Sequence, residues 1–402
     1  MTEEFDVLIA GGGLVGASLA IALDGAPLSV ALAEAVPPRA DLQPSYDERN
    51  LALAGASVNA LRALEVLDAN APVHPIEHIH VSRRGDFGSV RLDAESIGVP
   101  AFGATIPARE LGNALLRRLD RCRLVRLAPA EVVALAEHDD AIEVTLRGPE
   151  GERRVRTRLV VGADGTESFV RRALGIEAER HDYGQCAFVT TLTTDKPLGT
   201  TAYERFTDSG PVALLPLGAD RAGLVLSVPG ADVARIGALG DAEFLAFVHE
   251  RFGFRAGRFS RPGRRKPYPL TRMLASRTTA SRAVLVGNAA QTVHPIGAQG
   301  FNLGLRDALT LAELVRESAA RAEDVGAIAL LKRYEESRAG DRSATTRFSD
   351  DLVRLMGNDF APLRIARSLG FHALDRITPL KRRFALRGMG FRGDTPLLAL
   401  MR

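Results

Sequence analysis

The sequence predicts an α/β fold with α+β insertions, and three observations lead to that prediction. Buried strand patterns followed by glycine-rich turns and helices occur near the N-terminus, in the middle and after residue 280 of the 402-residue chain. The stretch 180–275 is rich in strand patterns, and helical patterning dominates from about Gly300 onward. We therefore expect a domain with a buried parallel sheet, an interleaved and mostly antiparallel sheet domain, and a helical C-terminal tail.

Composition and charge restrict the classes of protein to consider. The chain is 46% apolar and 25% charged, which allows a large core, and its net charge of +3 argues against nucleic acid as a partner. Cys122 and Cys186 form no CxxC pair, so we expect neither a disulfide framework nor a thiolate metal site. The acidic N-terminus does not resemble a signal peptide, and no apolar run reaches the ~18–20 residues needed to span a bilayer. We therefore predict a cytoplasmic protein, at most peripheral at the inner face of the membrane.

The N-terminal part begins with a βαβ unit. Residues 5–10 and 28–33 predict buried strands, and an apolar helix that ends near Leu23 separates them. Apolar residues on a 3–4 spacing predict a helix over 56–67. The alternating stretch 75–105 predicts strands of a second region.

The later elements define the predicted domains. We predict helices at 108–119 and 243–252 and strands at 123–127, 129–136, 141–147, 153–161, 187–192, 212–217, 222–228 and 283–286. The nucleotide-binding domain is then discontinuous and comprises residues 1–71, 107–178 and 276–345. A substrate-binding sheet domain comprises 72–106 and 179–275, and a helical segment comprises 346–402.

The first glycine turn, residues 11–16, fits the GxGxxG pattern between a predicted strand and a helix. Gly11 permits the tight turn, Gly13 allows the backbone to approach a pyrophosphate, and Gly16 allows close helix–strand packing. Free N–H groups at the helix start favour phosphate. Glu34 ends the next strand, where its carboxylate can accept the ribose hydroxyls and would repel a 2′-phosphate. The motif predicts a Rossmann-like dinucleotide site with binding residues Gly11, Gly13, Leu14, Val15, Gly16 and Glu34, and it does not separate FAD from NAD.

Two more turns favour FAD. The segment 160–165, Val-Val-Gly-Ala-Asp-Gly, follows one predicted strand, and 285–290, Leu-Val-Gly-Asn-Ala-Ala, follows another. A second helix N-terminus far along the chain suits a long cofactor whose two halves lie apart. Asn288 could hydrogen-bond the ribityl hydroxyls, and backbone N–H groups near Gly300 could meet the N1–C2=O edge of the flavin. The predicted binding residues of this third segment are Asn288, Gly297, Gly300, Phe301 and Asn302.

At this point the sequence resembles the aromatic-hydroxylase class of flavoprotein monooxygenases. GGGLVG, Arg49, Arg109, GADG, GNAA and HPIGAQGFNLGLRD appear in that class's order over most of the chain. Within it, HPxxxQGxNLGxRD resembles the ubiquinone-biosynthesis hydroxylases, and GNAAQTxHP is most similar to their 2-polyprenyl-6-methoxyphenol hydroxylase branch. The resemblance implies that Arg49 and Arg109 contact FAD, that Asp164 bridges the cofactor and the chain carrying the first motif, and that Pro295 lies beside the flavin. Ordinary salt bridges are the alternative for the two arginines.

The resemblance also implies the chemistry. Reduced FAD and O₂ would form a C4a-hydroperoxide, which hydroxylates a prenylated phenol. The electron donor would be NAD(P)H, bound transiently because no second GxGxxG follows a predicted strand. The flavin carries the chemistry, so no catalytic side chain is predicted; His294 is the nearest candidate, with a loop-holding role as the favoured alternative. His74, His78 and His80 near Glu77 could conceivably bind a metal, but a hydrogen-bonded strand is favoured, and no metal is predicted.

Three positions depart from the family's usual residues. Asn288 stands where aspartate is more common, Gln291 where histidine is, and Ala298 where glycine is usual. An alanine at position 298 would be strained if the backbone there needs a positive φ.

Some features leave alternatives open. Tyr183, Phe188, Tyr203 and Phe206 could line the substrate pocket or belong to the core. The tail could form a basic amphipathic surface for anionic lipid or for enzymes of a quinone-biosynthesis complex, or a solvated helix face; its cations are Arg364, Arg367, Arg376, Lys381, Arg382, Arg383 and Arg387. A flavin-dependent isoprenoid reductase and a non-catalytic lipid-binding scaffold are the competing functions.

Overall fold

The computed structural model describes residues 3–37, 49–358, 360–391 and 395–400. The strands are β1 Glu3–Ala10, β2 Val30–Ala33, β3 Asn50–Ala54, β4 His74–Ile76, β5 His78–Arg83, β6 Ser89–Asp93, β7 Gly103–Pro107, β8 Val125–Leu127, β9 Glu131–Glu137, β10 Ile142–Gly148, β11 Gly151–Gly162, β12 Ala178–Thr194, β13 Thr201–Thr207, β14 Gly210–Pro216, β15 Arg221–Pro229, β16 Phe259–Ser260, β17 Lys266–Ala275, β18 Thr279–Ala280, β19 Ala283–Leu285 and β20 Gln291–Thr292. The α-helices are α1 Leu14–Ala22, α2 Gly55–Ala63, α3 Ala94–Ile97, α4 Ala108–Leu119, α5 Phe169–Ala173, α6 Val233–Gly237, α7 Asp241–Phe252, α8 Gln299–Ala320, α9 Ile328–Gly357, α10 Ala361–Arg376, α11 Thr378–Gly388 and α12 Leu397–Leu400.

The first sheet brings three remote strands side by side in parallel. Val7 of β1 pairs with both Val30 of β2 and Leu159 of β11, and Val160 of β11 pairs with Ala283 of β19. These strands are apolar on both faces because helices cover both sides of a parallel sheet. The carboxyl ends of β1, β11 and β19 therefore meet at one edge, and each of the three glycine turns begins there.

The second sheet is mostly antiparallel, as the sequence predicts. Its strand order is β20-β17-β12-β15-β14-β13-β5-β6, with β16 added beside β12, and only the β13–β5 pair is parallel. One face packs against α7, where Phe188, Leu224 and Phe244 are fully buried in one apolar cluster. The opposite face is directed toward β3 and toward the turn Ile296–Ala298, because Asn50 lies against Gly223 and Ile296 packs with Phe206.

A three-stranded sheet, β3-β7-β4, connects the two larger ones. Its central strand β7, from the predicted substrate domain, pairs with β3 from the predicted nucleotide-binding domain on one side and with β4 on the other. The predicted limits near residues 71 and 107 thus divide one sheet, and the domain boundaries stay a prediction.

The helical C-terminal region begins with α8 and α9, which pack together. α10 then packs on β6, where a Cβ at Gly88 would lie 2.4 Å from the carbonyl oxygen of Ser368. In the described residues, no helix is both long enough and apolar enough to cross a membrane.

Two elements differ from the sequence prediction for clear reasons. β12 runs from Ala178 to Thr194 rather than 187–192, because it pairs along its length with β15 and β17 around an irregularity at 182–185. α2 ends at Ala63 rather than near residue 67, because Glu65 adopts a φ of 58° that a helix cannot continue through.

Candidate functional site

The first turn has the geometry that each glycine was expected to provide. Gly11 has a φ of 105°, and a Cβ there would lie 2.5 Å from the carbonyl oxygen of Ala163. A Cβ at Gly16 would lie 2.0 Å from the carbonyl oxygen of Gly11. At Gly13, the N-cap of α1, a Cβ would meet no described atom within 4 Å. The turn is thus closed on the protein side and open where a pyrophosphate would approach the starting N–H groups of α1, at Leu14 and Val15.

Glu34 is fixed beside this turn. Its Oε2 accepts a hydrogen bond from the N–H of Gly12 at 2.7 Å, and its Oε1 accepts one from Val36 at 2.9 Å. These bonds hold the carboxylate at the end of β2, next to the start of α1. A role toward ribose hydroxyls stays a prediction.

The second turn places Asp164 against the first. Oδ2 of Asp164 accepts a hydrogen bond from the N–H of Val170 at 3.0 Å, whereas Oδ1 is buried and has no hydrogen-bond partner in the described structure. A Cβ at Gly11 would lie 3.0 Å from the Cα of Asp164. A buried acceptor without a donor is costly, so a ligand hydroxyl is the natural partner for this oxygen.

The third turn touches the first through one side chain. Cβ atoms at Gly287 and at Gly304 would lie 3.1 Å and 2.9 Å from the methyl groups of Val15. Asn288, between β19 and β20, is exposed and makes no hydrogen bond in the described structure. Its amide is therefore available to a ligand at the edge where the three turns meet.

The segment 294–302 forms a tight loop that leads into α8. Pro295 and Gly297 are exposed, and both Gly297 and Ala298 have positive φ angles, 66° and 52°. The strain expected for an alanine at position 298 is therefore present. Gly300 lies in the first turn of α8, where a Cβ would meet no described atom within 4 Å, so the backbone is open there.

Asn302 fixes this loop to β3. Its Oδ1 accepts the N–H of Ala54 at 2.9 Å, and its Nδ2 donates to the carbonyls of Ala52 and Ala298 at 2.9 and 2.6 Å. The side chain thus holds the backbone, and only its N–H remains as a predicted flavin contact. Phe301 next to it packs partly buried against the core of the first sheet.

His294 holds the start of the same loop. It is 1% exposed, and its Nδ1 accepts the N–H of Ile296 at 3.2 Å. Its ring packs edge-on against Tyr183, with centroids 4.8 Å apart, and burial lowers its pKa to about 4. This arrangement favours the loop-holding role over acid–base chemistry.

Arg49 and Arg109 are distant in sequence, but their backbones lie side by side in the fold. The N–H of Ala108 donates to the carbonyl of Arg49 at 2.8 Å, at the junction of β3, β7 and α4. The guanidinium of Arg49 lies 5.4 Å from the ring centroid of Tyr268 on β17. Arg49 thus reaches from the three-stranded sheet to the second sheet, and the contact of the two arginines with FAD stays a prediction.

The four aromatic residues proposed as pocket lining divide between the two faces of the second sheet. Phe188 and Tyr203 pack against α7, away from the loop, and are core. Phe206 packs with Ile296, and Tyr183 packs with His294, so these two lie on the loop side.

Two of the histidines considered for a metal site contact charged side chains instead. Nε2 of His80 lies 2.7 Å from Arg255, and Nδ1 of His78 lies 3.6 Å from Asp93. In the described part of the chain, no group of three His, Cys, Asp or Glu residues could hold a metal ion.

Sequence reasoning missed a buried ionic cluster beneath the loop. Arg338 of α9 donates to Asp307 at 2.8 Å and to Asp341 at 2.7 Å, and Arg306 donates to Asp341 at 2.7 Å. The signal was present, because Arg306 and Asp307 end the HPIGAQGFNLGLRD segment. Glu204 of β13 was missed as well, since nothing in its local sequence distinguishes it from a solvated strand residue.

The site fits FAD. Three turns converge on one edge, with backbone open at Gly13 and Gly300, an unpartnered acceptor at Asp164 and an exposed amide at Asn288. Two helix N-termini, those of α1 and α8, start at this edge and would favour the negative charges of the pyrophosphate and of a reduced flavin.

Comparison with known proteins agrees with an FAD site. Residues 4–349 match the FAD binding domain family. The chain is 39% identical to the ubiquinone hydroxylase UbiL of Rhodospirillum rubrum, covering 96% of this chain and 89% of that protein. It is 32% identical to the 3-demethoxyubiquinol 3-hydroxylase of Escherichia coli, covering 94% and 97%. The crystal structure of p-nitrophenol 4-monooxygenase from Pseudomonas putida superposes with a TM-score of 0.80 at 18% identity, covering 98% of this chain and all of that one, and shows the same fold.

The fold and the site define an FAD-dependent monooxygenase. Within that class, the chain belongs to the FAD binding domain family and to its branch of ubiquinone hydroxylases, which confirms the resemblance drawn from the motifs.

Proposed function

We propose that this protein hydroxylates the aromatic ring of a prenylated phenol in ubiquinone biosynthesis. The observation that supports it is the face of the second sheet opposite α7, which lies in front of the loop 294–302. Val81, Ala213 and Val225, from three strands, are partly exposed on this face. Such an apolar surface beside the flavin edge suits a ring with an apolar tail.

When bound, FAD supplies the activation of O₂ and the transfer of one oxygen atom to the ring. The chain's own residues position the groups. Asn302 and His294 fix the loop beside the flavin, and the apolar face excludes water and holds the ring in place. Asp164 and Asn288 would hold polar parts of the cofactor.

The electron donor in this proposal is NAD(P)H. A second GxGxxG match, at residues 388–393, starts at the end of α11 and does not follow a strand, so it lacks the context of a dinucleotide site, and the nicotinamide would bind only while it reduces the flavin. Stopped-flow reduction of the FAD-loaded enzyme by NADH and by NADPH would identify the donor.

Isotope labelling tests the reaction. With reductant, a prenylated phenol and ¹⁸O₂, the product should contain one labelled oxygen atom. A product heavier by two hydrogens would instead indicate the isoprenoid reductase. Gly13→Asp should remove FAD and, in cells, block quinone formation; quinone formation that continues without FAD binding would support a non-catalytic scaffold.

We also propose that the C-terminal helices contact an anionic membrane surface. On α10, the apolar side chains Ile365 and Leu369 are each 56% exposed, and Arg376 lies on the same helical face. On α11, Leu380 is 46% exposed, and Arg383 lies on the same side of the helix. Exposed apolar residues next to cations are typical of helices that lie on anionic lipid, where a prenylated substrate resides.

Vesicle sedimentation tests this contact. The protein should bind vesicles that contain phosphatidylglycerol and not purely zwitterionic ones. Arg376→Gln with Arg383→Gln should weaken binding by about 30-fold, since each of the two cations contributes ~1 kcal/mol near the surface. Arg147→Gln, on the exposed β10, is the control. Equal binding to both vesicle types would contradict the proposal, and dimerisation lost in Leu369→Ser would point to a second copy instead.

A further inference from the structure

Glu204 lies on the loop-facing side of the second sheet. Its neighbours in β13 point the other way: Tyr203 packs edge-on against Phe252 of α7, and Arg205 donates to the carbonyl of Arg251. Because side chains alternate along a strand, Glu204 shares the opposite face with Phe206. Phe206 in turn packs with Ile296, in the loop beside the predicted flavin position.

The surroundings of Glu204 on this face are apolar. The residues paired with it are Val81 of β5 and Ala213 of β14, and Ala213 is paired with Val225. All three are partly exposed, as Glu204 is, and Val81 also packs against the apolar cluster that contains Phe206 and Ile296. The loop-facing side of the sheet therefore presents one carboxylate among small apolar side chains.

Nothing in the described part of the protein neutralises this carboxylate. Glu204 makes no hydrogen bond and no ion pair among the residues that the structure describes, whereas Asp6 and Asp350, which are also half-buried, are each paired with an arginine. Burial alone raises the pKa of Glu204 to about 7. An unpaired acid costs stability, so its position indicates a use toward a ligand.

We propose that Glu204 is the base that binds and deprotonates the ring hydroxyl of the substrate. This inference rests on the proposed function, because it requires a phenol on the loop-facing side of the second sheet. A carboxylate suits this role because it accepts a hydrogen bond from a phenol. It also repels substrates that carry an anionic group, which favours a neutral prenylated phenol.

The reaction balances in protons and electrons. As the ring carbon bonds to one oxygen atom of O₂, the ring hydroxyl gives its proton to Glu204, and the phenolate oxygen donates electron density to the ring. The attacked carbon then loses its hydrogen as a proton, which restores the aromatic ring. The other oxygen atom leaves as water with the two electrons of NAD(P)H, and Glu204 returns its proton to the ring oxygen. The sum is phenol + O₂ + NAD(P)H + H⁺ giving hydroxylated phenol + NAD(P)⁺ + H₂O.

The test compares the FAD-loaded wild type with Glu204→Gln, Glu204→Asp and, as a control, Tyr203→Phe on the opposite face. In the wild type, kcat/KM for hydroxylation should rise with pH through about 7, where the carboxyl ionises. In Glu204→Gln, kcat/KM should no longer rise with pH through about 7. The rate of hydroxylation should also fall about 100-fold or more, as it does when a general base is removed. In Glu204→Asp, kcat/KM should still rise with pH, and Tyr203→Phe should behave as the wild type.

A second measurement needs no turnover. Ultraviolet difference spectra of a bound prenylated phenol should show phenolate character in the wild type at pH 8 and not in Glu204→Gln. A Glu204→Gln enzyme that keeps the pH limb and a rate within about threefold of wild type would overturn the proposal. If the wild type forms no hydroxylated product, the proposed function fails, and the difference spectra still decide whether Glu204 accepts the phenol proton. If Glu204→Gln does not fold, Glu204→Asp provides the test: a change in the pH at which its kcat/KM rises supports the proposal, and an unchanged pH profile overturns it.

Discussion

Arg338 donates from Nε to Oδ1 of Asp307 at 2.8 Å, and both side chains are only 3% exposed. Oδ2 of the same aspartate accepts the N–H of Gly287 at 3.3 Å and the amide of Gln291 at 2.5 Å. One carboxylate thus joins α8, α9 and the third glycine turn. The ionic cluster is a structural support of the cofactor edge.

Arg338→Ala should therefore destabilise the protein strongly. Removing the arginine leaves Asp307 and Asp341 buried without their shared partner, which costs about 3–5 kcal/mol. Urea unfolding followed by circular dichroism measures the change. Arg333→Ala on the same helix is the control: its pair with Glu317 is half-exposed, so the loss should stay below about 1 kcal/mol. Similar losses for both would show that burial of the pair does not matter.

Gly16→Ala should abolish tight FAD binding. A Cβ there would lie 2.0 Å from the carbonyl oxygen of Gly11, so α1 must move away from β1 and the pyrophosphate turn must open. We expect a colourless protein on purification and a loss of affinity of at least tenfold in a flavin fluorescence titration. Gly340→Ala, in an exposed and uncrowded part of α9, should bind FAD normally and be stabilised by about 0.5–1 kcal/mol. Unchanged FAD affinity in Gly16→Ala would refute the close-packing role.

Ala298→Gly should stabilise the protein by up to about 1 kcal/mol. The alanine has a φ of 52°, which glycine adopts without the clash between Cβ and the backbone. Thermal unfolding of the FAD-free protein measures the gain. Ala344→Gly, inside the regular helix α9, should show the opposite sign, a loss of about 0.5–1 kcal/mol. Destabilisation by both changes would mean that the strain at 298 is negligible.

His294 should make stability depend on pH. Burial lowers its pKa in the folded protein to about 4, below the ~6.5 of an unfolded chain. Between these values the unfolded chain binds the extra proton, so stability is complete above pH 6.5 and falls as the pH drops toward 4. His294→Gln keeps an acceptor for the N–H of Ile296 but has no group that titrates in this window. Its free energy of unfolding should therefore fall between pH 6.5 and 4 by about 3 kcal/mol less than that of the wild type.

The control for this pH series is His78→Gln, whose side chain is half-exposed on β5. It should retain the wild-type pH dependence in urea unfolding at pH 7, 6, 5 and 4. If the free energy of unfolding of the wild type and of His294→Gln changes with pH in the same way, His294 is not the source of the pH dependence.

The sequence predicted those parts of the site in which the backbone carries the function. Gly11, Gly13 and Gly16 are recognisable because turn, approach and packing each exclude a side chain at a known spacing. Parts that depend on tertiary pairing were not predictable. Glu204 lies on the loop-facing side of the second sheet because β13 pairs with β5 and α7 covers its other face, and no local pattern encodes either fact. Asp307 was visible in a motif, but its partner Arg338 is chosen by the packing of α8 on α9.

The parallel order β2-β1-β11-β19 has a consequence for synthesis on the ribosome. β1 is made long before its second neighbour, which spans Gly151–Gly162, and that strand's own neighbour spans Ala283–Leu285. A nascent chain therefore carries an unpaired apolar strand edge between the synthesis of β1 and that of β19, a state prone to wrong pairing. We expect holding chaperones to engage the growing polypeptide until β19 has left the exit tunnel.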